Sequence, residues 1–289
     1  MNWYERMNKA IDYLEENLCG QIDYDKIAKI MCQSTVNFQR MFSIVTDITV
    51  NEYIRRRRMT LAAFEMQNSK VKVIDAALKY GYESPEAFAR AFKEIHGISP
   101  MVARKEGMQL KSYPRLTFLL SVKGDVAMDY RIESKEAFKV YGIEGIFTID
   151  DGKNLSEIPN FWLDTMKKGE FDRLLKSTNG TSDIHSICDY RKIDENTFPY
   201  MLFAYKTKDS KTEGFVEVEV PSATWAIFRT RNHTDEETSA EIQSLIKRVY
   251  TDWLPTANYE KVDGYELELY FRTDDGKCYC EIWMRVVPK

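Results

Sequence analysis

The sequence predicts a two-domain α+β protein, with an all-α N-terminal third followed by an α+β C-terminal part of duplicated strand-helix-strand units around a central cleft. Three observations carry this. A segment of the first third recurs fifty residues on, the hydrophobic period switches from helical to alternating after Gly107, and the charge is unevenly divided. Residues 1–120 hold 18 Lys and Arg against 14 Asp and Glu, a net +4, while the remainder carries −8 within an overall −4. The basic end is therefore the candidate for contact with a polyanion.

The repeat runs residue by residue. Ser34, Phe38, Arg40 and Phe42 return as Ser84, Phe88, Arg90 and Phe92, followed by Asp47-Ile48-Thr49 in one copy and Gly97-Ile98-Ser99 in the other. Phe38, Met41, Phe42 and Val45, and again Phe88, Ala91, Phe92 and Ile95, fall at i, i+3, i+4 and i+7, the stripe of a helix with one buried face. Each such helix opens at a Ser able to cap its first amides and is preceded by a shorter helical pattern, Asp25 to Met31 and Val73 to Tyr80. The pattern is helix, tight turn, capped helix, written twice: a double helix-turn-helix. Gly81 supplies the positive φ such a turn favours and Pro85 suits a first helical turn, whereas the first copy has Met31 in place of that Gly. Between the copies, Val50 to Met66 has no Gly or Pro and predicts one stiff helix. At about 25 Å it is long enough to hold two reading helices roughly one DNA turn, about 34 Å, apart.

Beyond Gly107 the pattern predicts strands near Leu116 to Val122, Ala127 to Ile132, Phe138 to Ile146, Ile184 to Tyr190, Tyr200 to Lys206, Phe215 to Val220, Thr224 to Arg229, Tyr265 to Arg272 and Tyr279 to Val287. Two helices interrupt them, Ile158 to Leu175 and Glu236 to Trp253, the second capped at Asp235 and halted by Pro255. The domains are thus expected at 1–107, with a linker and leading strand at 108–125, and at 126–289.

Of the 289 residues, 44% are hydrophobic and 30% charged, the balance of a soluble globular chain. No apolar run approaches the roughly 20 residues of a membrane span, and the start, Met1-Asn2-Trp3-Tyr4-Glu5-Arg6, lacks the apolar core of a signal peptide, so the cytoplasm is expected. The five cysteines are odd in number and scattered, and reduced thiols are expected. Cys278 and Cys280 share a strand face, which permits metal or redox work but suits plain strand residues better. No metal or cofactor site is expected.

The stretches QSTVNFQRMFSIVTDITVNEYIRRRRMT and ALKYGYESPEAFARAFKEIHGISP resemble the AraC/XylS family of transcription regulators, and its Mar/Sox/Rob branch most closely, over residues 5 to 107. The resemblance implies a regulator whose two reading helices enter successive major grooves of double-stranded DNA. Carried over by position, Val36, Gln39 and Arg40 face bases from the first helix, and Glu86, Ala87 and Arg90 from the second. Arg suits guanine, Gln adenine and Val a thymine methyl; Ala87 and Glu86 are weak readers, so Arg90 and DNA shape are expected to dominate that half-site. The run Arg55-Arg56-Arg57-Arg58 wraps around its helix, which divides it between a phosphate clamp and internal salt bridges. Asp47, where the family usually has Gly, is expected to stiffen or strain its turn.

The segments MDYRIESKEAFKVYGIEG, VPSATWAIFRTRN, VYTDWLP, YELELYF and CEIWMRV are similar to the effector-binding domain of Rob-type regulators and GyrI-like proteins, over residues 126 to 289, although Asn232 stands where the family tends to place a Gly. That resemblance implies a small, aromatic or cationic effector held in the cleft by a carboxylate and aromatic rings. The matching positions are Glu268, Tyr270 two residues on and so on the same strand face, and Trp283; Tyr141, Phe161, Trp162, Trp225 and Trp253 are further candidates, and Glu266 is the same-face rival of Glu268. Core aromatics are ordinary, so each ring has a structural reading as well. Two other functions remain open: a GyrI-like hydrolase with Glu268 as general base, and a regulator whose second domain binds a protein and no ligand. There is no nucleophile elbow, metal-ligand spacing or phosphate loop, and His96, His185 and His233 are isolated, so no catalytic residue is assigned. The expectation is a ligand-sensing activator working with RNA polymerase, as a monomer or weak dimer.

Overall fold

A computed structural model of the chain describes residues 2–119 and 127–289. Along the chain run α1 (Trp3–Glu16), α2 (Tyr24–Met31), α3 (Thr35–Thr46), α4 (Val50–Asn68), α5 (Val73–Lys79), α6 (Pro85–His96) and α7 (Pro100–Ala103). After them come β1 (Tyr130–Lys135), β2 (Phe138–Thr148), α8 (Asn154–Lys167), α9 (Glu170–Ser177), β3 (His185–Cys188), β4 (Thr197–Tyr205), β5 (Val216–Val220), β6 (Ala223–Arg229), α10 (Thr238–Arg248), β7 (Tyr259–Lys261), β8 (Glu266–Arg272) and β9 (Cys278–Pro288). The contacts divide these into two compact units, one of residues 1–32 and 48–119, the other of residues 33–47 and 120–289, so that α3 packs with the strand-rich part of the chain. No helix of the described residues is long and apolar enough to cross a membrane.

In the first unit the expected connecting helix is present as α4, and its apolar positions Tyr53, Ile54, Met59, Ala62, Ala63 and Met66 are all buried. Met59, Ala62, Ala63 and Met66 form one core with Ala76 and Ala77 of α5, Tyr80, Phe88, Phe92 and Ile95 of α6, and Ala103 of α7. The turn between α5 and α6 needs Gly81 twice over: its φ is +78°, and a Cβ there would lie 2.9 Å from the Arg58 guanidinium. In the first copy the left-handed residue is Cys32, at φ 54°, one position beyond Met31. The four arginines of α4 all serve the fold. Arg55 pairs with Glu52 and Glu94, Arg56 with Glu52, Arg57 with Glu15, and Arg58 donates to the carbonyls of Leu18 and Gly20.

The second unit is built on an antiparallel sheet ordered β1-β6-β9-β8-β3-β4-β2-β5, with β7 paired to β9. The order has a twofold logic. Strand, helix, then hairpin is laid down once as β2, α8–α9, β3, β4 and again as β6, α10, β8, β9, and the two hairpins meet at β3 and β8. The leading strands are exchanged: β1 pairs with β6 of the second half, and β5 with β2 of the first. One sheet face carries the helices. The other buries Val140, Ile187, Met201, Phe203, Trp225, Ile227, Leu267, Leu269 and Trp283 in a core drawn mainly from the strands of both halves.

Several local features depart from expectation. The single helix expected from Ile158 to Leu175 is two, broken at Gly169 with φ 73°. The second helix begins as a 3-10 turn whose capping box is Thr234 with Glu237 rather than Asp235, and ends as a π-helical turn, Val249–Trp253. Residues 116–119 are irregular rather than a strand, and the rest of that expected strand falls outside the described residues. Strand β7 is additional to the expected strands, its three residues being too few for an alternation signal.

Candidate effector cleft and DNA-reading helices

The two halves of the sheet meet at β3 and β8. Pairing of β3 with β8 sets Ser186 opposite Glu268 and Cys188 opposite Glu266, and since neighbours directly across a ladder share a face, all four point to the helix-bearing side. Glu268 accepts hydrogen bonds from Tyr270 Oη at 2.8 Å and Ser186 Oγ at 3.2 Å, and among the described residues no basic side chain forms an ion pair with it. Burial lifts its carboxyl above the usual range, against those two hydrogen bonds. Trp162 on α8 stands edge-on to Tyr270 at 5.3 Å and donates through Nε1 to Tyr200 Oη at 2.8 Å, while Phe161 packs against Phe147 and Tyr200.

Of the ring positions expected to line this site, Tyr270 and Trp162 are therefore next to Glu268, with Phe161 beside them. Tyr141 lies on the same face but deeper, fully buried with its hydroxyl on Ser177. Trp225 and Trp283 are elsewhere. Trp283 is opposite Leu267, not Glu268, and packs 5.8 Å from Trp225 in the core of the other face. Trp253 packs on Phe228 and Tyr130, above the far end of the sheet.

Glu266 is charged and surrounded. Its carboxylate lies 2.8 Å from Lys261 Nζ and 3.2 Å from Arg40 Nη2. Burial pushes its carboxyl up, but Lys261 and Arg40 more than reverse this and hold it down to about 2. Burial also opposes the Arg40 charge, and its surroundings, Cys188 and Glu266 first among them, raise it in spite of that. Because burial drives the Cys188 thiol up and keeps it protonated, Glu266 is the negative charge that holds Arg40. The guanidinium also faces the Phe198 ring at 4.7 Å and donates to Cys188 Sγ at 3.2 Å. Val36 joins the cluster of Phe147, Phe198 and Tyr200, and Asp263 accepts from the amide of Ser34 and from Asn37 Nδ2. Lys261, Asp263, Ser186 and Cys188 carry no local signal in the sequence, since only the folded unit brings them together.

The two reading helices are alike in construction and unlike in exposure. Ser34 caps α3 through the Asn37 amide and Ser84 caps α6 through the Ala87 amide, as the repeat requires. Asp47 closes α3 in the left-handed region at φ 60°, where Gly97 closes α6 at 81°. On α6, Glu86 and Arg90 are exposed and Ala87 half-buried. On α3, Val36 and Gln39 are buried and the Arg40 side chain is 14% exposed.

Fold and site together define a DNA-binding transcription regulator with a small-molecule-binding domain. Residues 27–106 match the helix-turn-helix domain model, and residues 128–287, more than half of the chain, match the GyrI-like small molecule binding domain. The chain belongs to the AraC family of helix-turn-helix regulators and carries the GyrI-like domain. It is 38% identical over 98 residues to the HTH-type transcriptional activator AarP of Providencia stuartii, covering 34% of this chain and 73% of AarP. It is 34% identical over 100 residues to the regulatory protein SoxS of Salmonella typhimurium, covering 35% of this chain and 94% of SoxS. Its similarity to the right origin-binding protein of Escherichia coli spans both domains, 22% identity over 273 residues, covering 92% of this chain and 90% of that protein.

Proposed function

We propose that the GyrI-like domain binds a small aromatic cation at Glu268, and that this binding controls DNA recognition by α3 and α6 in an activator that works with RNA polymerase as a monomer or weak dimer. The observation that carries the reading is Glu268 itself, a half-buried carboxyl group held by two hydroxyls, without an ion-pair partner among the described residues and walled by Tyr270 and Trp162. A carboxylate so placed gains a counter-charge when a cation enters, and each aromatic face adds about 0.5–2 kcal/mol. In this reading Val36, Gln39 and Arg40 contact one half-site and Glu86, Ala87 and Arg90 the other. The activating role is supported by the likeness to AarP. Sensing is favoured over hydrolysis by Glu268 because the domain is joined to a helix-turn-helix region similar to those of transcription regulators.

Calorimetric titration with tetraphenylphosphonium, a permanent cation sheathed in aromatic rings, tests this. Saturable binding by the wild type, at least tenfold weaker for Glu268→Gln and for the neutral triphenylphosphine oxide, is expected. Equal affinity for cation and neutral compound, or no effect of Glu268→Gln, removes the cation reading.

A further inference from the structure

We infer that the effector cleft is also the seat of the chain's own recognition helix: α3 is held there by its base-reading side chains, so that occupancy of the cleft by a cationic ligand and release of α3 to DNA are one equilibrium. The part of this that involves a ligand rests on the cleft reading above; the seating of α3 does not.

The internal repeat supplies the control. Two helices of the same pattern differ in that the reading face of α6 is open, while Val36, Gln39 and Arg40 of α3 are covered. What covers them has the chemistry of DNA. Recognition helices take phosphate oxygens on their N-terminal amides and present Arg to acceptor-rich base edges. Here the Asp263 carboxylate accepts from the Ser34 amide and the Asn37 side chain at the N-terminus of α3, where a phosphate would lie. Glu266 takes the Arg40 guanidinium in place of a guanine edge, and the Phe198 ring lies under it as a stacking surface. The seat imitates the nucleic acid at each of these three points.

The seat is also imperfect, as a reversible one must be. Arg40 Nη1 is buried without a hydrogen-bond acceptor among the described residues, and one of the partners of Nη2 is a thiol, a weak acceptor. Glu266 and Glu268 are two residues apart on one face of β8, roughly 7 Å along the strand. A ligand cation large enough to carry aromatic rings at Glu268 therefore meets the Arg40 guanidinium, and the two compete. Because α3 cannot fill the cleft and a major groove together, ligand and DNA each raise the affinity for the other by the same factor.

The test uses the full chain, a duplex selected by Glu266→Gln from a randomised pool, and one salt concentration throughout, since DNA affinity depends on it. Glu266→Gln weakens the Arg40 contact and Asp263→Asn the contact to the α3 N-terminus, and neither alters α3 itself. Both variants are expected to bind the duplex about tenfold more tightly than the wild type, as the fraction of free α3 rises. Their α3 amides are expected to exchange hydrogen faster, and tetraphenylphosphonium to move the wild type towards both variants. A gain in DNA binding is not produced by failed folding, and Asp263→Asn keeps the test intact if Glu266→Gln strands Lys261. Equal DNA affinity and equal α3 exchange in all three chains overturn the inference. So does an equal gain in Glu213→Gln, an exposed position that reports the charge change alone. If tetraphenylphosphonium does not bind while the two variants still gain DNA affinity, the ligand reading falls and the seat stands. If it binds saturably yet changes neither α3 exchange nor DNA affinity, the seat falls and the ligand reading stands.

Discussion

Helices α3 and α6 are two printings of one local instruction. Both open on a capping Ser, bury two Phe residues and end on a left-handed residue, yet one offers its reading face to solvent and the other has it covered by residues encoded more than 100 positions later. The difference teaches that helix, cap and turn are decided within a few residues, whereas what a finished helix can touch is decided by register in a distant sheet.

The comparison can be broken first at its symmetric part. Phe42→Ala and Phe92→Ala remove equivalent fully buried rings, and each is expected to cost about 3–5 kcal/mol in denaturant titrations; a large inequality would show that the copies are not equivalent in their cores. Acid is the next lever. Burial lowers the pKa of His185 from 6.5 to about 4, and its Nδ1 accepts the Tyr270 amide. A depressed folded pKa means stability that is complete above pH 6.5 and is lost as pH falls through 4. The loss amounts to about 3 kcal/mol at 1.36 kcal/mol per unit, and His185→Phe should flatten it. His96 in the first unit is also lowered by burial, so a shallower acid sensitivity remains there.

The asymmetric part is sharpened by Arg90→Ala, which should weaken DNA binding by about 1–3 kcal/mol and relax one half-site. Arg40→Ala should relax the other half-site while also emptying the seat, so its net loss of affinity is expected to be the smaller; genome-wide occupancy of the two variants, read for half-site loss, checks this. The smallest effect lies at the helix ends. Gly97 has open space around the position of a Cβ, so Gly97→Asp measures the left-handed backbone alone, about 1 kcal/mol or a little more. Asp47→Gly should recover less than that, because Asp47 also pairs with Lys247. Thermal melts of the pair read both.

The sequence was most informative where information is local. The repeat placed α2 to α6, and a Glu among Leu267, Leu269 and Phe271 marked Glu268 because a carboxylate among apolar neighbours needs a reason. It was least informative where two distant strands must be aligned. Alternation gives each strand two faces without saying which of them meets Glu268, and Trp283, opposite Leu267, and its neighbour Trp225 face the other way. The arginine run illustrates a third limit. Its charges suit phosphates as well as carboxylates, and only the positions of Glu15, Glu52 and Glu94 decide for the fold. The helix break at Gly169 leaves no mark in the hydrophobic pattern, because the apolar period continues across it.

The separation of Arg40 from Glu266 along the chain has a consequence in time. A ribosome adds roughly 5–20 residues per second, so the interval between synthesis of α3 and synthesis of β8 is on the order of 10–40 s. The partner of β1, strand β6, likewise gains its second neighbour only when β9 appears. During that interval Glu266 is not yet available to Arg40, so the ion pair on the helix is a restraint that the chain acquires only late in its own translation.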